Sequence, residues 1–91
     1  MANVETGLFL VADGMGGHAA GEIASQLVAS TVDGWITSHA AESMEPAEKL
    51  RSAALEANAR VFKAQCDNPA LAGMGSTLTA FLLSGDKYGV A

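Results

Sequence analysis

Apolar positions fall along this chain in two rhythms, strand-like and helical. Leu8-Phe9-Leu10-Val11-Ala12 is a continuous apolar run of strand length. Four of its five residues are large, which predicts a strand covered on both faces. From about Ala19 to Ser38 the spacing becomes helical, with Ile23, Leu27, Val28, Val32, Trp35 and Ile36 on one face. A second helical stripe, Ala47, Leu50, Ala54, Ala57, Val61 and Ala64, predicts a helix from about Pro46 to Gln65. Thr77–Leu83 is rich in β-branched and large apolar residues and predicts a second strand. Ser84-Gly85-Asp86-Lys87 then turns the chain, and Tyr88–Ala91 begins a third strand. The fold class is therefore α/β in the α+β sense, a helical hairpin packed on antiparallel strands.

The polar positions punctuate these elements. Pro46 suits a first helical position, where its missing N–H costs nothing. Glu45/Lys49 and Glu56/Arg60 place acid before base at four-residue spacing. Arg60 and Lys63 suit the C-terminal end of the second helix, and Glu22 the first turn of the first. Gly34 interrupts the first helix at a cost of about 1 kcal/mol, with fraying expected near Trp35. His39–Met44 is a short connection, and Cys66–Gly75 a loop broken at Asn68-Pro69. Met1–Thr6 carries no motif, so Leu8–Asp13 has no evident partner strand before it. The third strand stops after four residues. Both ends predict that residues 1–91 are an internal piece of a larger domain.

Composition narrows the function classes. Of 91 residues, 49% are apolar, a globular composition. The net charge is −5, and four of the five basic residues lie between Lys49 and Lys63, which argues against a nucleic-acid surface. No apolar run approaches the ~20 residues of a membrane span. The single Cys66 forms no internal disulfide, and a reducing cytoplasm is the simplest setting.

The candidate chemistry sits where the first strand gives way to helix. Asp13 follows the apolar run, and Gly14, Gly16 and Gly17 follow Asp13. A carboxylate and nearby carbonyls are the oxygen ligands a hard cation such as Mg²⁺ or Mn²⁺ takes. An Asp that merely caps a turn fits the residues equally well. Gly14-Met15-Gly16-Gly17-His18-Ala19 also fits the G-x-G-x-x-A of a dinucleotide-binding start. That fold needs a second, parallel strand ending in an acid about 20 residues on. Asp33 stands at that distance but lies in the helical stripe, and a second long helix follows.

Val11-Ala12-Asp13-Gly14-Met15-Gly16-Gly17-His18, with Gly21-Glu22 behind it, resembles the bacterial branch of the metal-dependent type 2C protein serine/threonine phosphatases (the PPM family). A second match lies at Gly73-Met74-Gly75-Ser76-Thr77-Leu78-Thr79-Ala80. The resemblance implies a β-sandwich flanked by helix pairs, of which this chain is part of one side. It implies that Asp13 bridges two Mn²⁺ or Mg²⁺ ions and that Gly14 contributes its backbone carbonyl to one. It implies hydrolysis of phosphoserine or phosphothreonine on a phosphorylated protein, such as the product of a serine/threonine kinase. Attack there is direct, by metal-bound hydroxide without a phosphoenzyme, in a cytoplasmic signalling role. No nucleic acid or membrane partner is expected.

Around that pair the expectations are plainer. Many family members carry a His proposed as general acid where this chain has Met15, which transfers no proton. His18 is nearby, and an imidazole changes charge near neutrality, but a helix-start residue is the simpler expectation. Glu22 is expected to serve the helix dipole ahead of an outer metal shell. Gly16 and Gly17 are expected to be conformational, and Gly75-Ser76-Thr77 to form a turn. His39 is expected to face solvent, Cys66 to fill a small apolar space, and Met15 and Met74 to pack. The family's upstream Arg…Asn-Glu-Asp pattern has no counterpart in Met1–Gly7. Its Gly-Asp-Ser-Arg segment and two later metal-binding aspartates are also absent, and Gly85-Asp86-Lys87 is only a turn. A non-catalytic, phosphatase-like binding module is therefore the alternative.

Overall fold

The structure, a computed structural model, describes the chain except positions 16, 17, 72, 85 and 86 and the side chains of His18 and Ser84. Four strands form one antiparallel sheet in chain order: β1 (Ala2–Asn3), β2 (Leu8–Met15), β3 (Gly75–Ser84) and β4 (Lys87–Val90). Two helices, α1 (His18–Ser38) and α2 (Pro46–Asp67), are inserted between β2 and β3. A short 3₁₀ turn at Pro69–Leu71 follows α2. The expected helical hairpin on antiparallel strands is the fold observed. β3 and β4 pair as the expected hairpin, Ser84 opposite Lys87; the turn residues Gly85 and Asp86 lie outside the described residues.

Side-chain alternation decides which face of the sheet is covered. Leu8 and Leu10 are buried against the helices, while Phe9 and Val11 remain 44% and 68% exposed. On β3, Ala80 and Leu82 are buried while Phe81 and Leu83 point the other way and are exposed. Register makes these face-sharing pairs: Leu8 opposite Leu82, and Phe9 opposite Phe81. The helices thus cover one face of the apolar run, and within the described residues its other face is exposed. A run apolar on both faces does not reveal what lies against each.

Leu8–Asp13 does have an earlier partner. Ala2 and Asn3 pair with Phe9 and Leu8. The N-terminal amino group donates to Leu10 O at 2.9 Å, and Leu10 N donates to Met1 O at 2.9 Å. Two residues of poor β propensity leave no sequence signal. Asn3 also donates from Nδ2 to Asp33 Oδ1 at 2.8 Å, which ties this edge to α1.

The helices meet along rows of small residues. Ala20, Ala24, Val28, Val32 and Ile36 of α1 are buried in one core with Leu50, Ala53, Ala57 and Val61 of α2. Relative to the expected stripes, Ile23 turns outward, and Ala53 replaces Ala54 at the centre. Ala47 is exposed while its neighbour Pro46 is buried. Burying the small row lets both helices lie close to the sheet and each other, and alanines on adjacent faces give the pattern little to choose between them. Gly89 of β4 marks a close approach to α2, since a Cβ there would sit 2.5 Å from Ala47 N.

Several expected polar roles change. Lys49 does not reach Glu45: it is buried and donates from Nζ to Ala40 O at 3.2 Å. Its apolar stem crosses the core edge and its ammonium closes the α1–α2 link. Glu45 instead pairs with Lys87 of β4 at 2.9 Å. Glu56 and Arg60 do pair, at 3.1 Å, on an exposed face where such a bridge contributes little. Because α2 runs to Asp67, its last turn holds no basic residue, and Lys63 pairs with Asp67 at 3.3 Å. His39 is half-buried, stacked on Trp35 with ring centroids 3.8 Å apart, and its Nδ1 lies 2.8 Å from Trp35 O. Cys66 is exposed on α2 and fills no apolar space.

Gly34 does not fray α1, which continues to Ser38. It is exposed, and a Cβ there would meet no atom within 4 Å. Gly34→Ala is therefore expected to stabilise the protein by about 0.5–1 kcal/mol, by removing backbone freedom from the unfolded chain. Thermal unfolding should show a rise of several degrees. A fall in the midpoint would contradict this placement.

Candidate metal centre

The two sequence motifs become neighbours in the sheet. β2 does not stop at Ala12 but runs through Asp13 and Gly14 to Met15. Gly75-Ser76-Thr77 is not a turn but the start of β3. In register, Asp13 faces Thr77, Gly14 faces Ser76 and Met15 faces Gly75. Thr77 Oγ1 also donates to Asp13 O at 3.4 Å, across 64 residues of sequence. A partner strand overrides the turn preference of Gly14 and Gly75, a long-range effect local composition does not carry. Glycine within a strand often marks close backbone approach, and that happens here.

The hydrogen-bond alternation of the ladder orients the backbone. Leu83 N donates to Gly7 O at 3.0 Å, so odd-numbered residues of this strand line bond toward β3. Leu10, with its groups on Met1, shows that even-numbered residues bond toward β1. β1 extends no further than Leu10, so the same alternation leaves Gly14's carbonyl on an uncovered strand edge. The Asp13 side chain projects from the opposite face to Leu8 and Leu10 and is exposed. An exposed carboxylate on the open face thus stands beside a carbonyl turned toward the edge that β1 does not reach.

On its other side Gly14 meets backbone. A Cβ at Gly14 would fall inside the carbonyl of Gly21, on α1. A Cβ at Gly21 would lie 3.2 Å from Gly14 C and Met15 N. The first turn of α1 therefore packs backbone to backbone on β2.

The donor chemistry fits a hard cation, and the number of donors fits only part of its shell. Asp13 and Gly14 offer oxygen ligands of the type Mg²⁺ and Mn²⁺ take. Among the described residues, no group of three or more His, Cys, Asp or Glu side chains is placed to hold a metal ion. Glu22 is exposed and, with α1 starting at His18, lies beyond its first turn, not within it. Met15 does not pack in the core but is 55% exposed, its Cγ lying 3.4 Å from where a Cβ on Gly75 would stand. Met74 is buried, as expected. Gly16 and Gly17, expected to be conformational, lie outside the described residues, and so does the side chain of His18.

Two residues that hold the site have no role that the sequence assigns. Gln65 donates from Nε2 to Met74 O at 3.0 Å and accepts from Gly73 N at 3.3 Å. It clamps the segment that delivers β3 to Asp13. Gly21 is the other, its role visible only once α1 is packed on β2.

The sequence profile of the protein phosphatase 2C family matches residues 2–91. The chain belongs to the protein phosphatase 2C family. The serine/threonine protein phosphatase PstP of Mycobacterium tuberculosis H37Rv is 44% identical over 87 residues, covering 91% of this chain and 16% of PstP. The serine/threonine phosphatase stp of Listeria monocytogenes is 34% identical over 86 residues, covering 92% of this chain and 34% of that protein. The crystal structure of the PstP catalytic domain with two manganese ions superposes with a TM-score of 0.80 at 40% identity. That match covers 91% of this chain and 35% of the crystallised one. The chain thus spans about a third or less of these phosphatase 2C relatives. The antiparallel β2–β3 ladder also removes the dinucleotide-binding expectation, which needs parallel strands. Among the described residues, no helix is long and apolar enough to cross a membrane.

Proposed function

We propose that this chain is part of the catalytic domain of a metal-dependent protein phosphatase acting on phosphoserine and phosphothreonine. The observation that carries the proposal is the pairing of the two motifs, with the exposed Asp13 carboxylate beside the Gly14 carbonyl at the strand edge. The two manganese ions of the PstP structure support the choice of cation. Asp13 would bridge two Mn²⁺ or Mg²⁺ ions and Gly14 would bind one of them. When bound, such a pair of cations lowers the pKa of a water between them and neutralises phosphoryl charge.

This chain's own residues do the holding. The β2–β3 ladder fixes the backbone of Asp13, and Gln65 fixes the start of β3. Flanking sequence would supply the remaining carboxylates, consistent with the share of the relatives that the chain spans. The substrates are proteins phosphorylated by serine/threonine kinases, in a cytoplasmic signalling setting.

The test is Mn²⁺-dependent release of phosphate from phosphoserine and phosphothreonine peptides by the domain completed with its flanking sequence. Release abolished by a chelator and restored by Mn²⁺ is expected. A folded domain that binds Mn²⁺ and releases none would sink the enzyme and leave a binding module.

A further inference from the structure

The structure assigns Gly21 as the positioning residue for the Gly14 carbonyl, an inference that rests on the metal-centre proposal. The free edge of β2 creates a problem. On one side the Gly14–Met15 peptide is held by the ladder, because the same alternation turns the Met15 N–H toward Gly75 of β3; on the carbonyl side, beyond the end of β1, no strand pairs with it among the described residues. Contact on the carbonyl side falls to another element.

The nearest rigid body is the α1 backbone. Gly21 is buried, and its Cα faces the Gly14 peptide directly. A Cβ added at Gly21 would lie 3.2 Å from Gly14 C, 3.2 Å from Met15 N and 3.3 Å from Gly14 O. Those three atoms define the very peptide unit that carries the carbonyl. Further along, α1 meets the sheet through the side chains of Ala24, Val28 and Val32, which can repack. At Gly21 no side chain intervenes, so α1 acts as a stop against the peptide.

The consequence is metric. A methyl group at position 21 sits closer to the Gly14 peptide than ordinary van der Waals contact, so the peptide must yield by a few tenths of an ångström. Metal–oxygen distances tolerate only about 0.2 Å, and Mg²⁺ demands near-ideal octahedral geometry. Residues that orient a ligand typically change metal affinity by about 10–100-fold when altered. Gly21→Ala is expected to weaken Mn²⁺ and Mg²⁺ binding within that range.

The experiment is isothermal titration of the completed domain with MnCl₂ and MgCl₂. Parent, Gly21→Ala, Gly34→Ala and Asp13→Ala are compared, with metal-free thermal unfolding of each. Gly34→Ala is on the same helix with open space around it, so its affinity should equal the parent's. The expected result is an affinity loss of tenfold or greater in Gly21→Ala, with the metal-free unfolding midpoint within a few degrees of the parent. Parent-like affinity in Gly21→Ala, with binding lost in Asp13→Ala, would overturn the positioning role and leave the metal centre standing. Parent-like affinity in Asp13→Ala would overturn the metal centre itself, and this inference with it. A Gly21→Ala protein that has lost its cooperative metal-free unfolding would show a merely structural glycine and overturn the proposal.

Discussion

Asp13→Ala is expected to abolish Mn²⁺-dependent phosphopeptide hydrolysis by the completed domain while leaving its fold intact. The two halves of that result follow from one placement. The Asp13 side chain stands on the open sheet face and is exposed, so no core contact is lost. Surface substitutions of this kind change stability by about 0.5 kcal/mol or less. The backbone of position 13 stays paired with Thr77 whatever its side chain. The chemical loss is large because the proposed ligand is shared by two cations. Metal ions supply several kcal/mol of transition-state charge stabilisation. At about 1.36 kcal/mol per tenfold, that is roughly a thousandfold in rate. Initial rates and unfolding curves on the same samples check both halves. Near-normal turnover in Asp13→Ala would remove Asp13 from the site.

How much of this was legible in the sequence depends on the range of the interaction. Both helices are visible because their signal is local: a 3.6-residue apolar rhythm, Pro46 at one start, Asn68-Pro69 after one end. Asp13 and Gly14 are visible because the motif around them is contiguous. What escapes is set by partners distant in sequence. β2 extends past Ala12 because β3 pairs with it, and Gly75-Ser76-Thr77 is strand, not turn, for the same reason. β1 is too short to signal, yet where it ends decides which carbonyl of β2 is free. Lys49 sits four residues after Glu45, and local spacing favours that pair. Packing instead buries its stem and sends its ammonium to Ala40, while Lys87 comes across from β4 to take Glu45. Gly21 stands in the motif with no role assigned to it until α1 is laid on β2, when its Cα proves to face the Gly14 peptide. The helix rotations were ambiguous for a different reason. Alanine at 47, 53, 54, 57 and 64 spreads apolarity around α2, so the buried stripe is selected by fit and not by hydrophobicity.

A polypeptide of these 91 residues alone is expected to self-associate and to show no measurable phosphatase activity. The activity half is ligand counting: among the described residues Asp13 belongs to no group of three or more His, Cys, Asp or Glu side chains placed to hold a metal, and one carboxylate with one carbonyl does not hold two ions. The association half follows from the sheet. Phe9, Val11, Phe81, Leu83, Tyr88 and Val90 are all exposed on the face the helices leave open. Phe81 and Tyr88 stack on that face with ring centroids 5.6 Å apart. Phe9 lies opposite Phe81, and Phe81 opposite Val90, so the side chains are contiguous across three strands. Soluble monomers rarely expose contiguous apolar patches above a few hundred Å². Beside this face runs the free backbone edge of β2 at Ala12 and Gly14, where another chain can pair. Sedimentation at tens of micromolar should therefore show species larger than the monomer, with strong binding of a hydrophobic dye. Val11→Lys places a charge at the centre of the face without touching the helix-side core. It should shift the population toward monomer while helical circular dichroism stays unchanged. A monomeric parent polypeptide with a sharp cooperative transition and no dye binding would show that the open face is stable in water unaided, and that the association argument is wrong.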